Sequence, residues 1–235
     1  MKTLTIESST DIELLSLASG GKFFQFAERT GLSHSTDMFV NLESLLTSAG
    51  VPLGGIELLG VGTGPGSFTG VRIAVSTARM LSQLLGIPLV GVKSHEIYAA
   101  SCDTVDNGLI AVAFDAKKSK VYAGLYSKRA GETSVLLEPG DFTMHEFLDR
   151  IPSTGMITCI GDGFTRYDDI LADYSAEKGI TCSVINDFMP SGKAASLLVL
   201  EKFKESPETY GNFLQTLPSY ERLSDAENAY NLKNS

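Results

Sequence analysis

The sequence contains little cysteine, no long hydrophobic run and no cluster of basic residues. Its three cysteines, Cys102, Cys159 and Cys182, are widely spaced and form no CxxC pair, which is typical of a reducing compartment rather than of a disulfide framework. No apolar run approaches the roughly 20 residues that span a bilayer, and the first residues lack the apolar core of a signal peptide. These absences predict a soluble cytoplasmic protein without a membrane segment.

Positive charge is also scarce. The chain has 19 Lys and Arg against 28 Asp and Glu, so its formal net charge is −9, and its longest basic run is the pair Lys117-Lys118. Because neutralisation of phosphates dominates affinity for nucleic acid, unaided nucleic-acid binding is disfavoured. With 235 residues, of which 43% are hydrophobic, the chain can form one large or two small domains with packed cores.

A glycine-rich turn between a short buried strand and a long helix organises the chain. Pro65 at the second position and Gly66, with positive φ, at the third position would form a type II turn. Ser67 or Thr69 then supplies a side-chain oxygen for the free N–H groups of a helix predicted from Phe68 to Leu85. This element is the reference point for the rest of the fold.

The predicted helix is apolar around most of its circumference. A helix of this kind must be buried on two sides, one of which is its own sheet. The second side faces either another helix of the same chain or a partner protein, and the pattern leaves both interpretations open. The polar residues of the helix form one narrow stripe of Arg72, Ser76, Arg79 and Gln83.

The order of predicted elements occurs twice. A three-stranded meander, a helix from Ser35 to Ala49, the organising strand and helix, and a further strand and short helix give the order βββαβαβα. A similar order follows, which predicts two α/β lobes, residues 1–106 and 107–235, each with a mixed sheet flanked by helices. This is the architecture of the actin, sugar kinase and Hsp70 (ASKHA) superfamily, whose lobes are ribonuclease-H-like and enclose a cleft.

The glycine-rich turn has two interpretations. The N-terminus of a helix offers free N–H groups and a positive dipole to an anion, but no GK[ST] sequence follows, so the turn is not a Walker loop. The alternative is a tight turn that packs against a neighbouring segment. Arg72, one turn into the helix, is correspondingly either a clamp for phosphate or carboxylate or a solvated side chain.

Histidines give no pattern for a metal site. His95 has Ala99 rather than a second histidine four residues on, and His145 is followed by Asp149 in the same place. His34, which precedes a helix, is interpreted as a cap or packing residue. No metal ligand and no catalytic residue are therefore predicted.

Several motifs resemble the TsaB (YeaZ) family, a component of the bacterial tRNA threonylcarbamoyladenosine system. The run from Gly64 to Ile73, GPGSFTGVRI, resembles the signature of that family, and further matches follow the same order over most of the chain. The supporting matches are Ile6 to Thr10, His34-Ser35, Phe114 to Lys117 with Val121-Tyr122, Gly161 to Gly163 and Pro218 to Arg222.

The resemblance implies a non-catalytic subunit that pairs with the catalytic paralogue TsaD. Together with the ATPase TsaE, the pair transfers a threonylcarbamoyl group to the adenosine next to the tRNA anticodon, and this subunit reaches tRNA only through the complex. The unsatisfied apolar surface of the helices predicts a homodimer when the chain is alone. No intrinsic cofactor is predicted, and any ATP or ADP with Mg is expected only at the interface with TsaD. The residues expected at the partner interface are Met38, Leu42, Leu45, Val71, Ala74, Val75, Ala78, Leu81, Ser82 and Leu85.

The competing hypothesis is an independent nucleotide-dependent ATPase or kinase of the ASKHA superfamily. Glu7 stands where family members usually have Asp, and Asp115 is at the matching point of the second half. The extra methylene of Glu7 displaces its carboxylate in a site that tolerates shifts of about 0.5 Å. The residues expected to form a nucleotide or anion site are Glu7, Gly64, Gly66, Ser67, Phe68, Thr69, Gly70 and Arg72.

Overall fold

The structure is a computed structural model that describes residues 1–30, 34–103, 107–152 and 155–221, without the side chains of residues 34–36. The interpretation of the His34 side chain and the match at Arg222 therefore lie outside what the structure describes. Within them, ten strands form two five-stranded mixed sheets. None of the described helices combines the length and the apolar character needed to cross a membrane.

The first sheet has the strand order β3-β2-β1-β4-β5. Strand β1 pairs antiparallel with β2 and parallel with β4, so a hairpin meander and two parallel strands share one sheet. Its strands are β1 (Thr3–Glu7), β2 (Ile12–Ser19), β3 (Lys22–Arg29), β4 (Leu58–Gly62) and β5 (Leu89–Val92). The helices of this part are α1 (His34–Ala49), α2 (Phe68–Leu85) and α3 (Ser94–Ala100), with a 3₁₀ turn at Leu53–Gly55.

The second sheet repeats this arrangement with the order β10-β9-β6-β7-β8. Strand β6 pairs antiparallel with β7 and parallel with β9, as β1 does with β2 and β4. The predicted two-lobed ribonuclease-H-like architecture is thereby confirmed. Its elements are β6 (Asn107–Lys117), β7 (Lys120–Arg129), β8 (Glu132–Phe142), α4 (Met144–Leu148), β9 (Met156–Ile160), α5 (Asp162–Arg166), α6 (Asp168–Lys178) and β10 (Thr181–Ile185).

The last helix, α7 (Gly192–Glu205), returns to the first sheet. The Ser16 hydroxyl on β2 donates a hydrogen bond of 2.6 Å to the carbonyl of Gly192, and Val199 packs over Gly60 on β4. The assignment of residues 107–235 to the second lobe therefore does not hold for α7, because its buried side chains complete the core of the first. The boundary between residues 106 and 107 stays a prediction.

Helices α1 and α2 cover the opposite face of the first sheet. Their apolar side chains share one core with Leu4, Ile6, Leu15 and Leu59 of the strands. Helix α7 and α3 form a separate cluster on the other face. The first sheet is therefore buried on both faces, which accounts for the apolar run without alternation in β4.

Candidate functional site

The glycine-rich turn begins helix α2 as predicted, but its geometry differs. Ser67 is the N-cap, and its hydroxyl oxygen accepts a 3.3 Å hydrogen bond from the N–H of Gly70. The positive φ of the turn is at Gly64, at 91°, and not at Gly66. The prediction of a type II turn with Gly66 at its third position was therefore wrong. Glycine is required at Gly66 for space and not for a left-handed conformation.

Gly66 and Gly70 allow the turn to press against the end of β1. A Cβ on Gly66 would lie less than 3.0 Å from the carbonyl oxygen of Ser9. A Cβ on Gly70 would lie less than 3.0 Å from the carbonyl oxygen of Ser8. Two hydrogen bonds hold this contact: the Ser67 N–H donates to the Ser9 carbonyl at 2.6 Å, and the Ser8 hydroxyl donates to the Gly70 carbonyl at 3.0 Å. The turn and the chain after β1 thus form one packed unit.

This packing occupies several of the backbone donors of the turn. The N–H groups of Ser67 and Gly70 have the partners given above, and the N–H of Gly64 donates to the Ser94 hydroxyl at 3.0 Å. A phosphate cradle requires such N–H groups to be free and convergent. The geometry therefore favours the tight packed turn over the anion-binding interpretation.

Glu7, the candidate carboxylate, is fully buried. Its carboxylate accepts hydrogen bonds from the Ser9 N–H at 2.5 Å and from the Ser94 hydroxyl at 2.7 Å. Burial raises the pKa of Glu7, and the hydrogen bonds from Ser9 and Ser94 offset part of that increase. Because its oxygens are used inside the chain, Glu7 ties β1 to α3 instead of presenting a carboxylate to a ligand.

The raised pKa of Glu7 predicts a pH dependence of stability. The unfolded chain releases the Glu7 proton near pH 4.5, whereas the folded state keeps it to a higher pH. The free energy of unfolding therefore falls as the pH rises from 4.5 to the pKa of Glu7 in the folded state, and above that pKa this contribution stays constant. Glu7→Gln removes this titration but keeps the shape of the side chain. We expect urea unfolding from pH 4 to 9 to show that the stability of the wild type relative to E7Q declines with pH. Parallel pH profiles would contradict the assignment.

A cleft of about 580 Å³ lies between the two lobes, beside this unit. Four of the residues predicted for a nucleotide or anion site line it: Gly66, Ser67, Phe68 and Thr69. The other four, Glu7, Gly64, Gly70 and Arg72, do not line the cleft. The opposite wall is formed mainly by the chain around the end of β6, from Phe114 to Lys117.

The cleft carries negative charge. Three aspartates line it, Asp11, Asp115 and Asp162, and burial together with the charges of Asp115 and Asp11 raises the pKa of Asp162. Lys117, the one cation among the described lining residues, is engaged with the Asp115 carboxylate at 2.7 Å. A nucleotide phosphate would meet repulsion here, since its binding needs cations or free N–H donors. The described residues also contain no group of three His, Cys, Asp or Glu side chains that suits a metal ion.

Ring packing and polar contacts join the two lobes beside the cleft. The ring of His95 on α3 lies 4.3 Å from that of Phe114, and its Nε2 donates to the Tyr122 carbonyl of β7 at 2.9 Å. Burial lowers the pKa of His95 to about 4, so the ring is neutral near pH 7. Lys93 forms a second tie, at 2.8 Å, with Glu138 of β8. His95 is thus a packing residue between the lobes.

The residues predicted for the partner interface lie inside the chain. Ala74 and Ala78 have no exposed surface because they contact the core of the first sheet, and Leu85 alone among the ten is half-buried. The prediction that these side chains meet a partner is therefore wrong for the nine buried residues, since the small residues among them allow α2 to approach its own sheet closely. For Leu85 it stays a prediction. The other seven predicted residues are also buried: Met38, Leu42, Leu45, Val71, Val75, Leu81 and Ser82.

The surface of the same two helices nevertheless carries large apolar side chains. We define the outer face of α1 and α2 by four residues that sequence reasoning did not select: Phe39, Val40, Met80 and Leu84, which are 49%, 63%, 48% and 70% exposed. A groove of about 530 Å³ adjoins it between α1 and the turn that follows, with Phe39 in its wall. The apolar circumference of α2 was the available signal, but it did not show which arc faces solvent.

Comparison with known proteins agrees with this fold. Residues 27–154, more than half of the chain, match the family model described as TsaD, tRNA N6-adenosine threonylcarbamoyltransferase. A protein of Bacillus subtilis named tRNA threonylcarbamoyladenosine biosynthesis protein TsaB is 29% identical over 83% of this chain and 82% of its own length. The protein of that name from Escherichia coli is 27% identical, over 72% of this chain and 75% of its own.

Solved structures show the same fold. YeaZ from Pseudomonas aeruginosa superposes with a TM-score of 0.72 and 23% identity over 93% of this chain and 99% of its own. An uncharacterized protein from the same organism is described as similar to peptidase YeaZ. It superposes with a TM-score of 0.76 and 24% identity over 94% of this chain and 99% of its own. The two-lobed fold and the match to the family model place this chain in the class of TsaD-like proteins. Within that class, the chain belongs to the TsaB (YeaZ) family.

Proposed function

We propose that this protein takes part in tRNA threonylcarbamoyladenosine biosynthesis as a non-catalytic partner of TsaD. The names of its relatives in Bacillus subtilis and Escherichia coli support the pathway. The observation that carries the role is the outer face of α1 and α2, where four large apolar side chains stand in solvent on adjoining helices. Exposed apolar surface of this kind is typical of a protein interface.

The buried residues of α1 and α2 support this surface in an indirect way. Helix α2 is fixed to the sheet by Ala74, Ala78 and Leu81, so its outward side chains are presented from a rigid element. A partner that docks on such a surface loses little conformational entropy in the interface. In the absence of TsaD, we expect a second copy of the chain to cover the same face as a homodimer.

The cleft gives little support to the competing ATPase or kinase hypothesis. That hypothesis requires an accessible Glu7, but Glu7 is buried and bonded to Ser9 and Ser94. It also requires Asp115 to hold a metal, but Asp115 is paired with Lys117. We therefore place any ATP or ADP with Mg at the interface with TsaD, with no cofactor bound by this chain alone.

The proposed role in tRNA modification is indirect. A net charge of −9 disfavours contact with the phosphates of tRNA, so the partners supply the tRNA-binding surface. TsaE joins TsaD and this protein in a ternary complex and hydrolyses ATP. This chain then acts as a scaffold that holds TsaD in an active form.

Reconstitution tests this proposal. Purified TsaD, TsaE, threonylcarbamoyl-adenylate, ATP and tRNA are combined with and without this protein, and threonylcarbamoyladenosine is measured in the tRNA. We expect modification only when the protein is present, and no ATP hydrolysis by the isolated chain. Equal modification without it would refute the scaffold role. Mg-dependent hydrolysis that Glu7→Ala abolishes would establish the competing hypothesis instead.

A further inference from the structure

The segment after α7 returns to the glycine-rich turn. The Thr216 hydroxyl donates to the Leu89 carbonyl of β5 at 3.4 Å, and the Ser219 N–H donates to the Thr63 carbonyl at 2.7 Å. These bonds fasten the segment along β5 to the end of β4. Tyr220, in the Pro218 to Arg222 motif, is thereby placed against the first turn of α2.

Tyr220 fixes the side chain of Arg72. The Nε of Arg72 donates a 2.7 Å hydrogen bond to the Tyr220 hydroxyl. The central carbon of the guanidinium lies 3.6 Å from the centroid of the Phe68 ring and 5.5 Å from that of Tyr220. The guanidinium is thus held at one edge and stacked on an aromatic face, which restricts its rotation.

Among the described residues, the terminal nitrogens of the Arg72 guanidinium have no hydrogen-bond partner. Within the described residues, no acidic side chain lies within ion-pair distance of Arg72, although the protein is strongly acidic. The terminal nitrogens of an arginine form a planar fork that matches a carboxylate or a phosphate. Phe68 and Tyr220 are 45% and 48% exposed, so they leave a solvent-accessible cluster of two aromatic rings and one arginine. Tyrosine and arginine are enriched among the residues that contribute most of the binding energy in protein interfaces.

The position of Arg72 indicates which anion it binds. Arg72, Ser76 and Met80 follow one exposed i, i+4, i+8 ridge of α2, so Arg72 lies about two turns from the apolar outer face. The neighbouring acidic cleft repels a free polyanion such as a nucleotide more strongly than it repels a single carboxylate on an otherwise apolar protein surface. A protein partner that covers Met80 and Leu84 can therefore place an acidic side chain on Arg72.

We propose that Arg72, held by Phe68 and Tyr220, receives a carboxylate of TsaD and anchors the polar end of the interface formed by the outer face of α1 and α2. This inference rests on the proposed function. It assigns to Tyr220 the role of a positioning residue, because its hydroxyl and ring hold the arginine in a conformation ready for binding.

The test measures the Kd for TsaD at 50 and 300 mM NaCl. We expect Arg72→Gln, which keeps much of the side-chain length but removes the charge, to weaken binding about 30-fold at low salt. Arg72→Lys, which keeps the charge but loses the fork, should weaken it about tenfold. Tyr220→Phe, which loses only the hydrogen bond to Nε, should weaken it about threefold. Added salt should weaken the wild type more than R72Q.

The matched control is Arg150→Gln, since the Arg150 guanidinium also lies over an aromatic ring, 4.9 Å from that of Phe142 in the second lobe. It should bind TsaD within about twofold of the wild type. If R72Q binds TsaD as tightly as R150Q, the inference is refuted while the proposed function stands. If the wild type does not bind TsaD at all, the proposed function fails. Arg72-dependent binding of inorganic phosphate to the isolated chain at micromolar concentration would show that the site takes a free anion, and would also overturn the inference.

Discussion

Replacement of Gly70 by alanine is expected to destabilise the fold by about 3 kcal/mol. Helix propensity alone predicts the opposite sign, because alanine is better than glycine in a helix by about 1 kcal/mol. The steric term dominates, since a Cβ on Gly70 would overlap the carbonyl oxygen of Ser8, and backbone cannot move aside as a flexible side chain can. The alanine would also strain two hydrogen bonds: the one from the Ser8 hydroxyl to the Gly70 carbonyl and the one from the Ser67 N–H to the Ser9 carbonyl.

The free energy of unfolding in urea measures this effect. Gly54→Ala is the matched control, because a Cβ on Gly54 would meet no atom within 4 Å and its backbone needs no left-handed conformation. G54A should remain within about 0.5 kcal/mol of the wild type. A G70A protein as stable as G54A would show that the turn does not pack against β1 as described.

Local sequence signals were sufficient for the elements around the organising turn. Helix α2 begins and ends at the predicted residues because Ser67 supplies the N-cap and Gly86, with φ of 65°, supplies the left-handed C-cap. Strand β4 was equally clear, since a short apolar run without alternation is typical of a strand covered on both faces. The repeated order of elements then gave the two-lobed fold, because parallel strands with helical connections allow few topologies.

Contacts between distant segments could not be predicted in the same way. Helix α7 carries an ordinary helical pattern, and nothing in that pattern says that its apolar face meets the first sheet and not the second. The periodicity of α2 identified apolar positions but not the arc that faces solvent, so buried Ala74 was selected and exposed Leu84 was not. The burial of Glu7 and the contact of Tyr220 with Arg72 likewise depend on residues more than 80 positions away.

Charge placed on the outer face of α1 and α2 is expected to abolish binding to TsaD. Met80→Glu or Leu84→Glu should each weaken the complex about 100-fold, and the double variant should show no detectable binding or tRNA modification. A carboxylate buried in an apolar interface loses its hydration without gaining a partner, which is costly. The measurement is the Kd for TsaD, together with threonylcarbamoyladenosine formed in the reconstituted reaction.

These substitutions separate binding from folding, which changes at Ala74 or Ala78 cannot do. Met80 and Leu84 are exposed in the isolated chain, so a charge there should leave its free energy of unfolding within about 0.5 kcal/mol of the wild type, whereas Ala74→Arg would disrupt the core. Leu197→Glu on α7 is the matched control, because Leu197 is 46% exposed on a helix that covers the opposite face of the same sheet. L197E should bind TsaD normally. If M80E and L84E also bind normally while both remain folded, TsaD docks elsewhere and the proposed interface is wrong.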